Sequence, residues 1–168
     1  MGMRDVRIGK VVVNIGVGEA GDKLAKAQRV LQMVTGQRPV TTLAHGNVRD
    51  WGVRRDMPIG AKVTLRGERA AGFLRRALVV RNNRLPRYVF DAYGNFSFGI
   101  GDYTDFDGMK YDPEIGVFGM DVNVSLVRPG DRVKERRVVP GRIPRRHRVS
   151  KEEAVAFVTQ TFQLEVIA

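Results

Sequence analysis

Three glycines, Gly16, Gly18 and Gly21, stand within the stretch KVVVNIGVGEAGDKLAKAQRVL, residues 10–31. G-x-G-x-x-G between an apolar run and a helical pattern is the setting of a dinucleotide fingerprint, where glycines let the backbone approach a pyrophosphate at a helix N-terminus. That chemistry also needs a carboxylate about 20 residues further on to hold the ribose. At that place the chain reads Thr41-Thr42-Leu43-Ala44-His45, with no acid. Two other readings remain open: a tight strand-to-helix turn, or backbone N–H groups aimed at an RNA phosphate.

A second candidate is Tyr103-Thr104-Asp105-Phe106-Asp107-Gly108 with Glu114. It approaches a calcium loop, but its first ligand position is Tyr103 where a carboxylate is essential, and Pro113 stands where the exiting helix should begin. An acidic surface loop is the reading adopted. His45 and His147 lie far apart without ligand spacing, and there is no cysteine, so neither a zinc site nor a disulfide is expected. A serine elbow and a Walker lysine are absent from the sequence. The expectation is a protein that is not an enzyme and uses no metal or cofactor; a nucleotide-dependent enzyme built on GVGEAG is the alternative.

The positive charge is more informative. The 168 residues carry 29 Lys+Arg against 18 Asp+Glu, a formal net charge of +11. Such an excess favours a polyanion, because each neutralised phosphate releases counterions. Much of it lies in Arg132, Lys134, Arg136, Arg137, Arg142, Arg145, Arg146, Arg148 and Lys151, opposed locally by Glu135. With Pro140 and Pro144 and little apolar surface, residues 128–149 read as a mobile basic arm that orders on RNA. No apolar run approaches the roughly 20 residues of a membrane span, and no signal-peptide pattern opens the chain.

These groups must be positioned by a fold of ordinary size. Residues 6–15 alternate as a strand, with Val11, Val13 and Ile15 on one face and Lys10, Val12 and Asn14 on the other. Residues 22–35 repeat as a helix, with Asp22 as N-cap and Gly36 as its left-handed stop. Strands are predicted over 38–44, 61–67 and 117–127, and a helix over 68–82 with Phe73, Leu74, Ala77 and Leu78 buried. Residues 45–60 read as a protruding basic loop or extended hairpin. Residues 87–100 read as extended with a turn at 93–95, and 101–116 as irregular. Ser150-Lys151-Glu152-Glu153 predicts a capping box opening a last helix. The order implies one α+β domain over residues 1–168, a mainly antiparallel sheet with helices packed on one face.

The blocks KVVVNIGVGEA, TGQRPVTTLA, MPIGAKVTLRG, GNFSFGI and PEI, spaced as here, resemble the ribosomal large-subunit protein five family over nearly the whole chain. The start close to the first strand and the arginine segment followed by HRVSKEEAVAFV are similar to the archaeal and eukaryotic-cytosolic branch, without the N-terminal helical extension of the bacterial form. The resemblance implies a cytoplasmic ribosomal protein that binds 5S rRNA in the central protuberance. Its implied partners are large-subunit protein eighteen, 23S-type rRNA and P-site tRNA, with no membrane role and no homo-oligomer. It implies that the open sheet face meets RNA, through Asn14, Gln37 and Thr64 as polar contacts. Lys10, Gly16, Gly18, Arg38, Thr42, Lys62 and Arg66 belong to the same implied rRNA site, with Arg136, Arg137, Arg145 and Arg146 added by the basic arm. Trp51, Arg54 and Arg55 match the loop that reaches toward tRNA, although Trp51 and Val53 depart from the usual pattern there. The acidic stretch 102–114 would face a protein such as the small-subunit head.

Overall fold

The computed structural model describes residues 2–167. In chain order the regular elements are β1 (Arg7–Gly16), α1 (Asp22–Thr35), β2 (Val40–Leu43), β3 (Pro58–Leu65), α2 (Gly67–Val80), β4 (Arg84–Pro86), β5 (Phe96–Ile100), β6 (Met120–Val127), α3 (Lys151–Phe162) and β7 (Glu165–Ile167). The fold is α+β with a mainly antiparallel sheet and three helices, as the element order implies. Five strands form the main sheet in the order β2-β3-β1-β6-β5, while β4 and β7 pair separately and in parallel. By packing, the chain forms two compact units. The first holds residues up to Val11, Arg66–Ser97 and everything from Val124; the second holds Val12–Leu65 and Phe98–Asn123.

Side-chain alternation builds the core. β1 buries Val11, Val13 and Ile15; β3 buries Ala61, Val63 and Leu65; β5 buries Phe96, Phe98 and Ile100; β6 buries Met120, Val122, Val124 and Leu126. In the second unit α1 packs against β3 and buries Leu24, Ala27, Val30, Leu31 and Val34 at helical spacing. Gln28 Nε2 donates to Thr41 Oγ1 at 2.9 Å, tying α1 to β2. Gly36 ends the helix with φ 67° and its N–H on the Gln32 carbonyl at 2.8 Å, the expected left-handed stop. The expected cap at the other end is corrected: Gly21 occupies the N-cap position at φ 108°, and Asp22 is the first helical residue.

Three further differences from the sequence reading stand out. β3 starts at Pro58, before the predicted strand start at 61 and inside the stretch read as a loop or an extended hairpin. Tyr103, Phe106 and Ile115, in the stretch read as irregular, are buried, and the Tyr103 hydroxyl accepts from the Asp112 N–H at 3.2 Å. Tyr103, at the first ligand position of a calcium loop, is part of the core. Finally, β7 pairs with β4 in the register Arg84↔Glu165, Leu85↔Val166, Pro86↔Ile167, an element that the sequence reading lacks.

α3 begins as its sequence predicts. The Glu153 N–H donates to Ser150 Oγ at 3.3 Å, and the Ser150 N–H donates to Glu153 Oε2 at 3.0 Å. Arg128 joins this cap: Nη2 donates to Glu153 Oε1 at 2.5 Å and Nη1 to the Arg146 carbonyl at 3.3 Å. The Ser150 N–H and then the Arg128 charge hold the Glu153 carboxyl below its ordinary pKa, against the opposing effect of burial. A depressed acid contributes stability that is complete above its unfolded-state pKa and is lost as pH falls through the lower folded one. Arg128 is only 9% exposed, whereas Glu153 is 44% exposed, so solvent screens part of the pair.

Two stability measurements follow from this packing. A Cβ added at Gly60 would lie 2.8 Å from the Ile15 carbonyl oxygen and 2.8 Å from Thr42 Oγ1. Gly60→Ala is expected to cost about 1–3 kcal/mol in denaturant unfolding, because backbone sits on one side and cannot move cheaply; an unchanged midpoint would mean that the strands separate freely there. Glu153→Gln keeps a capping-box side chain but removes the charge facing Arg128. It is expected to cost about 1–2 kcal/mol near neutral pH. The gap from wild type should close as pH falls below 4.5, the ordinary value for this carboxyl. A gap independent of pH would assign the loss to shape rather than charge.

Candidate nucleic-acid interface

In the second unit, the burial that makes the core also leaves a polar alternate set. Thr42 faces Gly60 and Val40 faces Lys62 across β2 and β3, so Thr42 and Lys62 share one side of that pair. Thr64 follows Lys62 by two residues, while Val63 and Leu65 between and beyond them are buried. Asn14 alternates in the same way with Val13 and Ile15 on β1. Lys62 is exposed and Asn14, Thr42 and Thr64 are half-buried, so their polar groups are held by short, rotamer-poor side chains. This set offers hydroxyl and amide groups for hydrogen bonding beside one free ammonium, the mixture suited to sugar hydroxyls, base edges and phosphate. Sequence reasoning missed Asp121 and Asn123, which are exposed on β6 between the buried Met120, Val122 and Val124. The alternation in MDVNVSLV carried that signal. Asp121 places a carboxylate near Gly99, where a polyanion is not favoured.

Two N–H groups of the glycine turn are used within the protein. The N–H groups of Val17 and Gly18 both donate to the Ile59 carbonyl, at 2.9 and 2.8 Å. They are consumed inside the protein, joining the end of β1 to the start of β3. Gly18 has φ 77° and Gly21 φ 108°, and no atom lies within 4 Å of a Cβ built on either. Glycine is required here by backbone conformation, not by intramolecular crowding. With a mainly antiparallel sheet, the turn lacks the surroundings of a dinucleotide site. Gln37 is half-buried in the turn between α1 and β2, and Arg38 beside it is exposed, so neither belongs to the alternating strand set.

Residues 44–57 form a closed hairpin-like tip. Val48 and Val53 exchange both backbone hydrogen bonds, at 2.8 and 3.0 Å, and Ala44 bonds Met57 and Asp56 at 2.9 Å each. Asn47 Oδ1 accepts from the Arg55 N–H at 2.7 Å. A single 3₁₀ turn, Arg49–Trp51, caps the tip and ends at Gly52 with φ 65°. Trp51 is 79% exposed, with Arg54 and Arg55 exposed beside it in sequence. A bare indole and two guanidinium groups on a braced turn can stack on and neutralise nucleic acid.

The first unit holds the basic segment, which makes main-chain bonds within itself. Val149 is buried, the Gly141 N–H donates to the Val133 carbonyl at 3.0 Å, and His147 Nε2 donates to the Pro129 carbonyl at 2.9 Å. Arg136 Nε donates to the Val139 carbonyl at 2.6 Å, in a bend where Val139 has φ 48°, a strained value for a β-branched residue. Arg136, Arg137, Arg145 and Arg146 are all exposed on this folded segment. Lys10 and Arg66 line a groove of about 400 Å³ in the same unit, with Arg7 and Arg132. The groove thus joins two residues predicted as phosphate contacts to the basic segment. Among the described residues no group of three His, Cys, Asp or Glu is placed to hold a metal ion.

Comparison with known proteins agrees across the chain. The family model described as "Ribosomal protein L5" matches residues 2–54, and the model for the C-terminus of the same ribosomal family matches residues 58–157. The large ribosomal subunit protein uL5 of Thermoplasma volcanium is 52% identical over 166 residues, covering 98% of both chains. That of Sulfurisphaera tokodaii is also 52% identical, over 98% of this chain and 94% of its own. That of Methanoregula boonei is 47% identical, over 98% of this chain and 99% of its own.

Proposed function

The chain belongs to the ribosomal protein L5 family, a structural protein of the large ribosomal subunit and not an enzyme, and from that premise we propose that its open sheet face binds 5S rRNA. The observation that carries this reading is the alternate set Asn14, Thr42, Lys62 and Thr64, left open by the burial of the residues between them. Asn and Thr read groove hydroxyls and base edges without adding charge, and Lys62 neutralises phosphate. Gln37 and Arg38 extend the contact from the turn before β2. Lys10, Arg66 and the exposed arginines 136, 137, 145 and 146 contribute phosphate contacts from the first unit, to 5S or 23S-type rRNA. In this reading 5S rRNA is anchored in the central protuberance together with large-subunit protein eighteen. The tip at Trp51, Arg54 and Arg55 reaches P-site tRNA, and the acidic loop 102–114 faces a protein of the small-subunit head.

The test is equilibrium binding to purified 5S rRNA over a range of salt concentrations. Asn14→Ala and Thr64→Ala are each expected to cost about 1–3 kcal/mol of affinity, because they leave RNA polar groups unpaired. Neither should change the slope of log affinity against log salt. Lys62→Gln should lower that slope by about 0.9, the value for one duplex phosphate no longer neutralised. Full affinity in folded Asn14→Ala and Thr64→Ala proteins would move the 5S rRNA site off the sheet.

A further inference from the structure

A groove of the first unit has a volume of about 620 Å³ and is not explained by the sheet face. Ser125, Leu126 and Val127 of β6 and the buried Val149 line it, with the turn carrying Tyr93 and Asn95 and the segment from Pro140 to Ile143. The Tyr93 turn is set firmly. Asp91 Oδ1 accepts from the N–H groups of Tyr93 and Asn95 at 2.8 and 2.7 Å, and Asp91 Oδ2 accepts from Asn95 Nδ2 at 2.9 Å. Gly94, at φ 76°, presses so closely on Val149 that a Cβ there would lie 2.7 Å from its Cγ1. The turn therefore holds the Tyr93 ring, itself 60% exposed, at the rim of the groove.

The lining is cationic in a particular way. Lys134 is paired with Asp131 at 2.9 Å, the one carboxylate in the lining. Arg142 and Arg148 have no carboxylate partner among the described residues. Arg148 instead places its guanidinium carbon 5.8 Å from the Tyr93 ring centroid. Arg128, 9% exposed, is bound through both Nη atoms, but its buried Nε–H has no acceptor. A buried donor left unpaired is costly, and an anionic oxygen is its natural partner. A groove combining an aromatic face, a guanidinium laid on it, two uncompensated cations and an orphaned donor has the chemistry of a nucleotide site.

Resting on the reading that this protein binds rRNA, we propose that the groove takes one unpaired nucleotide of the bound RNA, its base on the Tyr93–Arg148 pair and its phosphate among Arg128 and Arg142. A volume of about 620 Å³ admits one nucleotide and its neighbouring phosphates, whereas a duplex cannot present a base inside such a groove. The proposal differs from the sheet-face reading in its ligand: the face takes paired RNA by its groove, and this site takes a base out of the stack.

The test is fluorescence anisotropy of the full chain with labelled single-stranded octauridylate and a blunt-ended RNA duplex, with UMP as a separate titrant. Tyr93→Ala should weaken octauridylate by about tenfold to a hundredfold, the loss of one stacked base. Its duplex affinity and melting temperature should stay unchanged, and Tyr93→Phe should keep the single-strand affinity. Arg142→Gln should lower the single-strand salt slope by about 0.7. Equal weakening of both probes by Tyr93→Ala, or of neither, would overturn the proposal. UMP saturating as tightly as octauridylate would overturn an RNA strand as the occupant. If Tyr93→Ala is neutral while Asn14→Ala still weakens 5S rRNA, the groove proposal falls alone; if the wild-type chain binds none of these RNAs, the rRNA reading falls with it.

Discussion

Side chains on a strand point to opposite faces in turn, and the candidate interface depends on that period of two. β1 buries Val11, Val13 and Ile15, and β3 buries Ala61, Val63 and Leu65. The same pleat leaves Asn14, Lys62 and Thr64 no direction but outward. A register slip by one residue would bury a lysine and expose a row of valines, so the hydrophobic effect that fixes the core also fixes the polar set. RNA contacts placed on such strands lose little conformational freedom on binding, because core packing has already ordered the backbone that carries them. The glycine turn serves the same frame: its Val17 and Gly18 N–H groups donate to the Ile59 carbonyl and so join β1 to β3.

Charge is distributed differently from shape. Among the described residues the buried core holds no charged side chain, so the excess of 29 Lys+Arg over 18 Asp+Glu lies where solvent or a partner can reach it. The strand face of the second unit is mostly uncharged, while the first unit concentrates arginines on a segment fastened by main-chain bonds. Uncharged groups on rigid strands can specify a ligand; exposed cations supply affinity that salt weakens. The Arg128–Glu153 pair also has a structural part, since it ties the end of β6 to the cap of α3.

Much of the frame was legible in the sequence. The period and the Gly36 stop placed α1 at 22–35, alternation placed β1 and β6 to within a few residues, and Ser150 with Glu153 announced the α3 cap. The polar alternates Asn14, Lys62 and Thr64 could be read the same way, and the motif blocks pointed to the family that the comparisons show. What stayed hidden depends on contacts distant in sequence. Tyr103, Phe106 and Ile115 are core without any regular spacing. β7 is three residues long and exists only because β4 offers it an edge. The basic segment folds on its own carbonyls at Pro129, Val133 and Val139 and packs Val149 against the distant Gly94, and neither leaves a mark in composition. The use of the Val17 and Gly18 N–H groups by Ile59 is invisible to a glycine motif for the same reason.

The central claim, that the open side of β1 and β3 meets 5S rRNA, is tested most directly by photocross-linking the full chain to 5S rRNA containing 4-thiouridine and mapping the linked peptides by mass spectrometry. Links are expected in the peptides that carry Asn14 and residues 58–66, competed away by unlabelled 5S rRNA. Links confined to α1 and its outward residues, with none on β1 or β3, would contradict the claim.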